Sequence, residues 1–213
     1  MAFERKAIRR AVFALAASFC LAAVTAAADD KNYTITQDDR TMGSPDAPIV
    51  LIEYAAPSCP HCAHFAATVL PLIKKNYIDT GKVYYVFRIF PLMPADGAVA
   101  GMANCLPKDR YFEFIELAFR QQRQWDPEYG VSDVVGGLTA LGKTAGMKQQ
   151  DISRCMLDAG EMERVNRIAE DGDKKYNIEG VPFFIVNGTV VPIWAVGWPQ
   201  LKLRFDALLA KGG

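Results

Sequence analysis

At 213 residues, half of them apolar, the chain is long enough for one large domain, or one domain carrying an insert. Its 24 basic and 24 acidic residues balance. With no basic run after the N-terminal segment, nucleic acid is excluded as a partner. No apolar stretch beyond residue 28 reaches the length of about 18 residues that a membrane-spanning helix needs.

Arg5, Lys6, Arg9 and Arg10 precede an apolar run from Ala11 to Val24, then Thr25–Ala26–Ala27–Ala28 and Asp29. A basic start, a short apolar centre and small residues read as a secretory signal peptide, residues 1–28, cut after Ala28. The competing reading is a retained anchor, for which the run is short. Cys20 then leaves with the signal. Residues 1–28 carry four of the basic residues and one of the acidic, which leaves 20 against 23, a net of −3. The chain is therefore expected to be exported. The four remaining cysteines, Cys59, Cys62, Cys105 and Cys155, meet an oxidising compartment, where cysteines pair.

After a polar lead, Tyr33–Thr34–Ile35–Thr36 reads as a short edge strand. Ile49–Val50–Leu51–Ile52–Glu53–Tyr54 is apolar and rich in β-branched residues, the pattern of a strand buried on both faces. From Cys62 the period turns helical, with Phe65, Val69, Leu72 and Ile73 on one face. Pro71 inside that helix predicts a kink, since its ring presses on the carbonyl of Ala67. Val83 to Phe90 is a second strong strand. Residues 95–175 contain no convincing strand and read as an inserted helical domain. Within it Asp109 is placed to cap a helix through Gln122, with Phe112, Ile115, Leu117 and Phe119 on its apolar side. Ser132–Ala145, Gln149–Ala159 and Glu161–Tyr176 read as further helices. Strands return at Pro182–Val186 and Thr189–Val191, joined by Asn187–Gly188, a strong hairpin signal. Pro199 suits the first turn of a last helix with Leu201, Phe205, Leu208 and Leu209 on one face. The order gives an α/β fold: a mixed central sheet flanked by helices, residues 29–94 and 176–213, interrupted by the helical insert.

The chemistry-bearing stretch is Ala56–Pro57–Ser58–Cys59–Pro60–His61–Cys62. A disulfide exchanges by thiolate attack on sulfur through a mixed disulfide, so an efficient centre needs one low-pKa exposed thiol and a second close by. Cys59 sits where the helix begins, at the positive end of its dipole and within reach of free N–H groups. Cys62 lies one turn further in, less exposed. Pro60 fills the first turn, where its missing N–H costs nothing. His61 adds a donor or a charge beside the Cys59 sulfur, which stabilises the reduced form and makes the disulfide more oxidising. The competing reading, half of a zinc site, lacks a second CxxC or a distant histidine pair; His61 and His64 are the only histidines and crowd one turn. His64 reads as a surface residue. Glu53, six residues before Cys59 in the most apolar strand, is costly unless it works or is paired. It is read as the group that takes and returns the Cys62 proton, against the alternative of a strand-end ion pair. Pro182 heads a core strand, where it cannot donate to the ladder. A cis Val181–Pro182 bond would let Val181 offer its backbone to a peptide. Cys105 and Cys155 are read as a structural disulfide rather than two free thiols, given export and the even count.

These features together, Glu53-x₅-Cys59–Pro60–His61–Cys62, the helical insert after the second strand and Gly180–Val181–Pro182 before the hairpin, resemble the DsbA family of periplasmic thiol:disulfide oxidoreductases in the thioredoxin superfamily. The resemblance covers nearly all of the chain after residue 28. It implies a thioredoxin fold, Cys59 as nucleophile, Cys62 as resolving thiol, Glu53 as buried acid and Pro182 in cis. It implies a monomer without cofactor or metal that oxidises reduced, newly exported proteins and is reoxidised by a membrane quinone-linked partner of the DsbB type. Val181 with Pro60–His61 looks like the oxidase branch. The pair Cys105/Cys155 departs from the basic pattern and resembles the second disulfide of some alpha-proteobacterial members. A reductase or isomerase on the same fold remains an alternative, as does a metal-binding or chaperone-like module using the same groove.

Overall fold

The structure, a computed structural model, describes residues 32–212. The expected signal peptide and Cys20 lie outside the described residues. The core is a five-stranded sheet in the order β1-β3-β2-β4-β5, made of β1 (Arg40–Met42), β2 (Ile49–Ala55), β3 (Val83–Ile89), β4 (Phe183–Val186) and β5 (Thr189–Val191). Strand β3 runs parallel to β2, while β1, β4 and β5 each run antiparallel to their neighbours.

All seven residues of β2 are buried, as its unbroken apolar run requires of a central strand covered on both faces. Alternation sends Ile49, Leu51 and Ala55 into the large core and Val50, Ile52 and Tyr54 into a smaller one behind it. The large core is closed by α1 (Pro60–Thr68), α2 (Leu70–Ile73) and the last helix. The break between α1 and α2 falls at Val69, where Pro71 withholds its N–H, and the chain leaves α2 through a wide π turn, Lys74–Ile78. Asn187 and Gly188 both take positive φ, 46° and 81°, the geometry of the tight hairpin turn joining β4 to β5.

Between β3 and β4 lie only helices: α3 (Pro94–Cys105), α4 (Tyr111–Arg120), α5 (Gln122–Trp125), α6 (Val134–Thr144), α7 (Gln149–Met156) and α8 (Ala159–Tyr176). They form the helical insert. The closing helix α9 (Trp198–Lys211) buries Leu201 and Phe205 against the sheet. Cys105 and Cys155 are joined as a disulfide that clips the end of α3 to α7, with Cα atoms 6.1 Å apart.

Two expectations are corrected. The edge strand is Arg40–Met42 and not Tyr33–Thr36. The Thr34 carbonyl accepts from the Arg88 guanidinium at 2.6 Å, and Thr36 closes a turn with Asp39, whose carboxylate takes the Thr36 N–H at 2.8 Å. Asp109 does not cap α4. Lys108–Arg110 form a 3₁₀ turn after Pro107, and α4 starts at Tyr111 with Tyr111, Phe114, Ile115, Ala118 and Phe119 buried. Tyr111 and Ala118 complete that stripe at helical spacing, while Phe112 and Leu117 are only half-buried. Among the described residues no helix is long and apolar enough to cross a membrane.

Candidate active site

Cys59 is the N-cap of α1. Its backbone is extended, and its sulfur accepts the Cys62 N–H at 3.4 Å, while Pro60 occupies the first helical position. The loop that delivers it is held from the helical insert. Gln122, buried in α5, donates its side-chain amide to the Pro57 carbonyl at 2.7 Å and the Cys59 carbonyl at 3.0 Å. Asp96, buried in the first turn of α3, accepts the Ser58 N–H at 2.7 Å and the Ser58 hydroxyl at 3.0 Å. The same carboxylate takes the N–H groups of Leu92 and Met93, so one anion fastens both loops at the top of the sheet.

Across from the helix start the Val181–Pro182 bond is cis, and the Val181 carbonyl lies 3.4 Å from the Cys59 sulfur. The sulfur is therefore covered, not on an open surface as its role suggested: Cys59 is 5% exposed and Cys62 is fully buried. Covering by the Val181 turn is the cause. Beside it, across Val181, a cleft of about 290 Å³ is lined by His61, Phe65, Val69, Pro182, Ile193 and Val196. Of these Ile193 is exposed, as is Trp194 next to it in sequence. His61 and His64 are both exposed. Among the described residues no three His, Cys, Asp or Glu side chains come together as a metal site would need.

The two thiols are separated electrostatically. The Cys62 thiol and N–H, then the N–H and charge of His61, hold Cys59 down at about 6 against the cost of partial burial. Burial, and then the neighbouring Cys59, push Cys62 far above the ordinary thiol range. At neutral pH the reduced pair is thus a Cys59 thiolate beside a Cys62 thiol. Glu53 points from β2 into the same core and is 1% exposed. Burial raises it from 4.5 to about 8, partly offset by the Tyr85 hydroxyl, which donates to Glu53 Oε2 at 2.6 Å. Such a carboxyl can give or take a proton near neutrality, and its charge is felt by the Cys62 thiol.

The structure thus places His61, Val181 and Pro182 on the cleft, Cys59 and Pro60 at the helix start against Val181, and Cys62 and Glu53 in the core beneath, with Cys105 and Cys155 on the helical insert. Sequence reasoning missed Tyr85, Asp96 and Gln122. Each is a polar residue in an apolar setting: a tyrosine in a buried strand, an acid at the start of a small-residue helix, a glutamine behind an apolar helix face.

A family model described as thioredoxin matches residues 35–205. The crystal structure of Wolbachia pipientis alpha-DsbA1 superposes with a TM-score of 0.74 at 28% identity, over 85% of this chain and 96% of that one. A Rickettsia bellii protein described as "Putative protein-disulfide oxidoreductase" is 30% identical over 157 residues, 73% of this chain. Disulfide bond formation protein D of Bacillus subtilis is 26% identical over 160 residues, 72% of this chain and 70% of its own length. The chain spans 55% to 60% of the length of the rickettsial relatives it matches.

Proposed function

The chain belongs to the thioredoxin family, with DsbA structures among its structural neighbours, and from that membership we propose that it is a thiol:disulfide oxidoreductase that donates its Cys59–Cys62 disulfide to reduced proteins. A substrate thiolate attacks the Cys59 sulfur. The Cys59–Cys62 bond breaks, its electron pair leaves on the Cys62 sulfur, and Glu53 supplies the proton that makes the buried thiol. A second substrate thiolate attacks the substrate sulfur of the mixed disulfide. The substrate disulfide closes and Cys59 departs as thiolate. Two electrons thereby pass from substrate to enzyme. A membrane quinone-linked reoxidase of the DsbB type would take them away. The signal-like N-terminus supports export to the periplasm, with newly exported chains as substrates and a monomer as the working unit.

The observation that carries this reading is the Cys59 sulfur at the N-cap of α1, accepting the Cys62 N–H at 3.4 Å, where the Cys62 thiol and the free N–H groups of the helix start hold its thiolate at about 6. A stabilised thiolate is a good leaving group and favours the reduced enzyme, so the disulfide is oxidising. A redox titration tests the oxidase direction: a potential near about −120 mV is expected, and one near about −270 mV would make the protein a reductase instead. Oxidation of a reduced, scrambled substrate protein tests the chemistry itself. Cys59→Ser abolishes it on this reading, and equal activity in the variant and the parent would leave a binding module.

A further inference from the structure

Glu53 and Tyr85 face each other across β2 and β3, on the side of the sheet that carries the cysteines, and each is 1% exposed. The strand register sets Tyr85 opposite Leu51, one pleat along from Glu53. Around the carboxyl, β3 presents Tyr85, α1 presents Cys59 and Cys62, and β4 presents Phe184 opposite it. Tyr111 of α4 is the next titratable group beyond Tyr85. No cation is among the groups that shift Glu53.

We propose that Tyr85 is a positioning residue for proton exchange at Cys62: its hydroxyl occupies Glu53 Oε2, and so leaves Oε1 as the oxygen that gives and takes the proton. The proposal rests on the oxidoreductase reading above. The choice of side chain is what makes the geometry useful. A lysine or arginine at this place would hold Glu53 as a permanent anion, with no proton to give a departing thiolate. A phenylalanine would leave the buried carboxyl protonated until well into the alkaline range. A neutral hydroxyl does neither, because it stabilises the anion by one hydrogen bond and adds no charge. Tyr85 cannot compete for the proton itself, since burial and the Glu53 charge raise its own ionisation well above the ordinary range. Its ring is fixed by Phe87, stacked at 6.4 Å, and Phe112, tilted at 6.0 Å, so the hydroxyl is aimed before any substrate arrives.

The step that reads this is closure of a Cys59–glutathione mixed disulfide. The Cys62 proton passes to Glu53 Oε1, the Cys62 sulfur attacks the Cys59 sulfur, and the electron pair of the broken bond leaves on glutathione. Its rate rises with pH as Glu53 ionises. In Tyr85→Phe the midpoint of that rise moves up by about one pH unit, so closure at pH 7 slows about tenfold. Carbon-13 titration of the Glu53 carboxyl in the reduced protein shows the same upward shift without any turnover. Fluorotyrosine at position 85, a stronger donor of the same shape, moves both midpoints down. Combined with Glu53→Gln, Tyr85→Phe slows closure no further. A folded Tyr85→Phe protein with an unmoved carboxyl midpoint overturns the proposal; should Tyr85→Phe not fold, an unmoved midpoint with fluorotyrosine overturns it equally. A parent protein that never closes the mixed disulfide overturns the oxidoreductase reading instead, while the carboxyl titration still judges Tyr85.

Discussion

Ser58 is bound twice by Asp96, through its N–H at 2.7 Å and its hydroxyl at 3.0 Å, one to each carboxylate oxygen. The residue before Cys59 is thereby anchored to a helix of the insert, 38 positions away. Asp96 is fully buried and, among the described residues, has no cation partner in its hydrogen bonds; four donors stabilise it. Asp96→Asn keeps the shape but turns one acceptor into a donor facing donors. The expected cost is about 2–3 kcal/mol of stability, read from a denaturant midpoint. The expected second effect is a rise of the Cys59 pKa from about 6, read from thiolate absorbance in the ultraviolet, because the N-cap loses its fixed approach. A variant with both values unchanged would show that the anchor is incidental.

Glu53 predicts a pH dependence of stability with a definite sign. Its folded value is raised from 4.5 to about 8 by burial. Below pH 4.5 both folded and unfolded chains carry the proton, and nothing is lost. Between 4.5 and about 8 the unfolded chain releases it while the folded chain keeps it, so stability falls as pH rises, and it levels off above about 8. At full extent this is worth at most roughly 5 kcal/mol. The comparison belongs in the oxidised protein, where Cys59 and Cys62 do not titrate; there the smaller part of the rise that comes from the Cys59 charge is gone, and burial, the larger cause, remains. Glu53→Gln removes this component, so its stability relative to the parent should climb steadily from pH 5 to pH 8. A constant difference between the two proteins over that range contradicts a buried acid.

The parts of the site carried by local pattern were legible in the sequence: a cysteine at a helix start, a second one turn on, an acid in an apolar strand, an Asn-Gly turn. The Ser58–Asp96 and Glu53–Tyr85 contacts were not, because each joins residues 32 to 38 positions apart and depends on how the strands and the insert are stacked. Helix α3 was invisible as an element for a related reason. Its small residues, Ala95, Gly97, Ala98, Ala100 and Gly101, carry little amphipathic signal, and what they provide is close approach. The displaced edge strand has the same origin. The Thr34 carbonyl, free to join a ladder by sequence alone, is taken by an arginine from the next strand over.

That close approach can be tested at Gly101. A Cβ there would run into the Cys155 carbonyl, so α3 and α7 meet backbone to backbone one turn before their disulfide. Gly101→Ala must push the helices apart, at a cost of about 1–3 kcal/mol. Removing the clip with Cys105→Ala/Cys155→Ala frees a loop with a sequence separation of 50, worth about 4 kcal/mol in the loop-entropy account. The two costs are not independent. With the disulfide in place the helices cannot separate to relieve the clash; without it they can. Gly101→Ala should therefore cost less in the Cys105→Ala/Cys155→Ala background than in the parent, by a margin resolvable in denaturant midpoints. Simple addition of the two costs would mean that the disulfide ties together helices already held at that distance by their own packing.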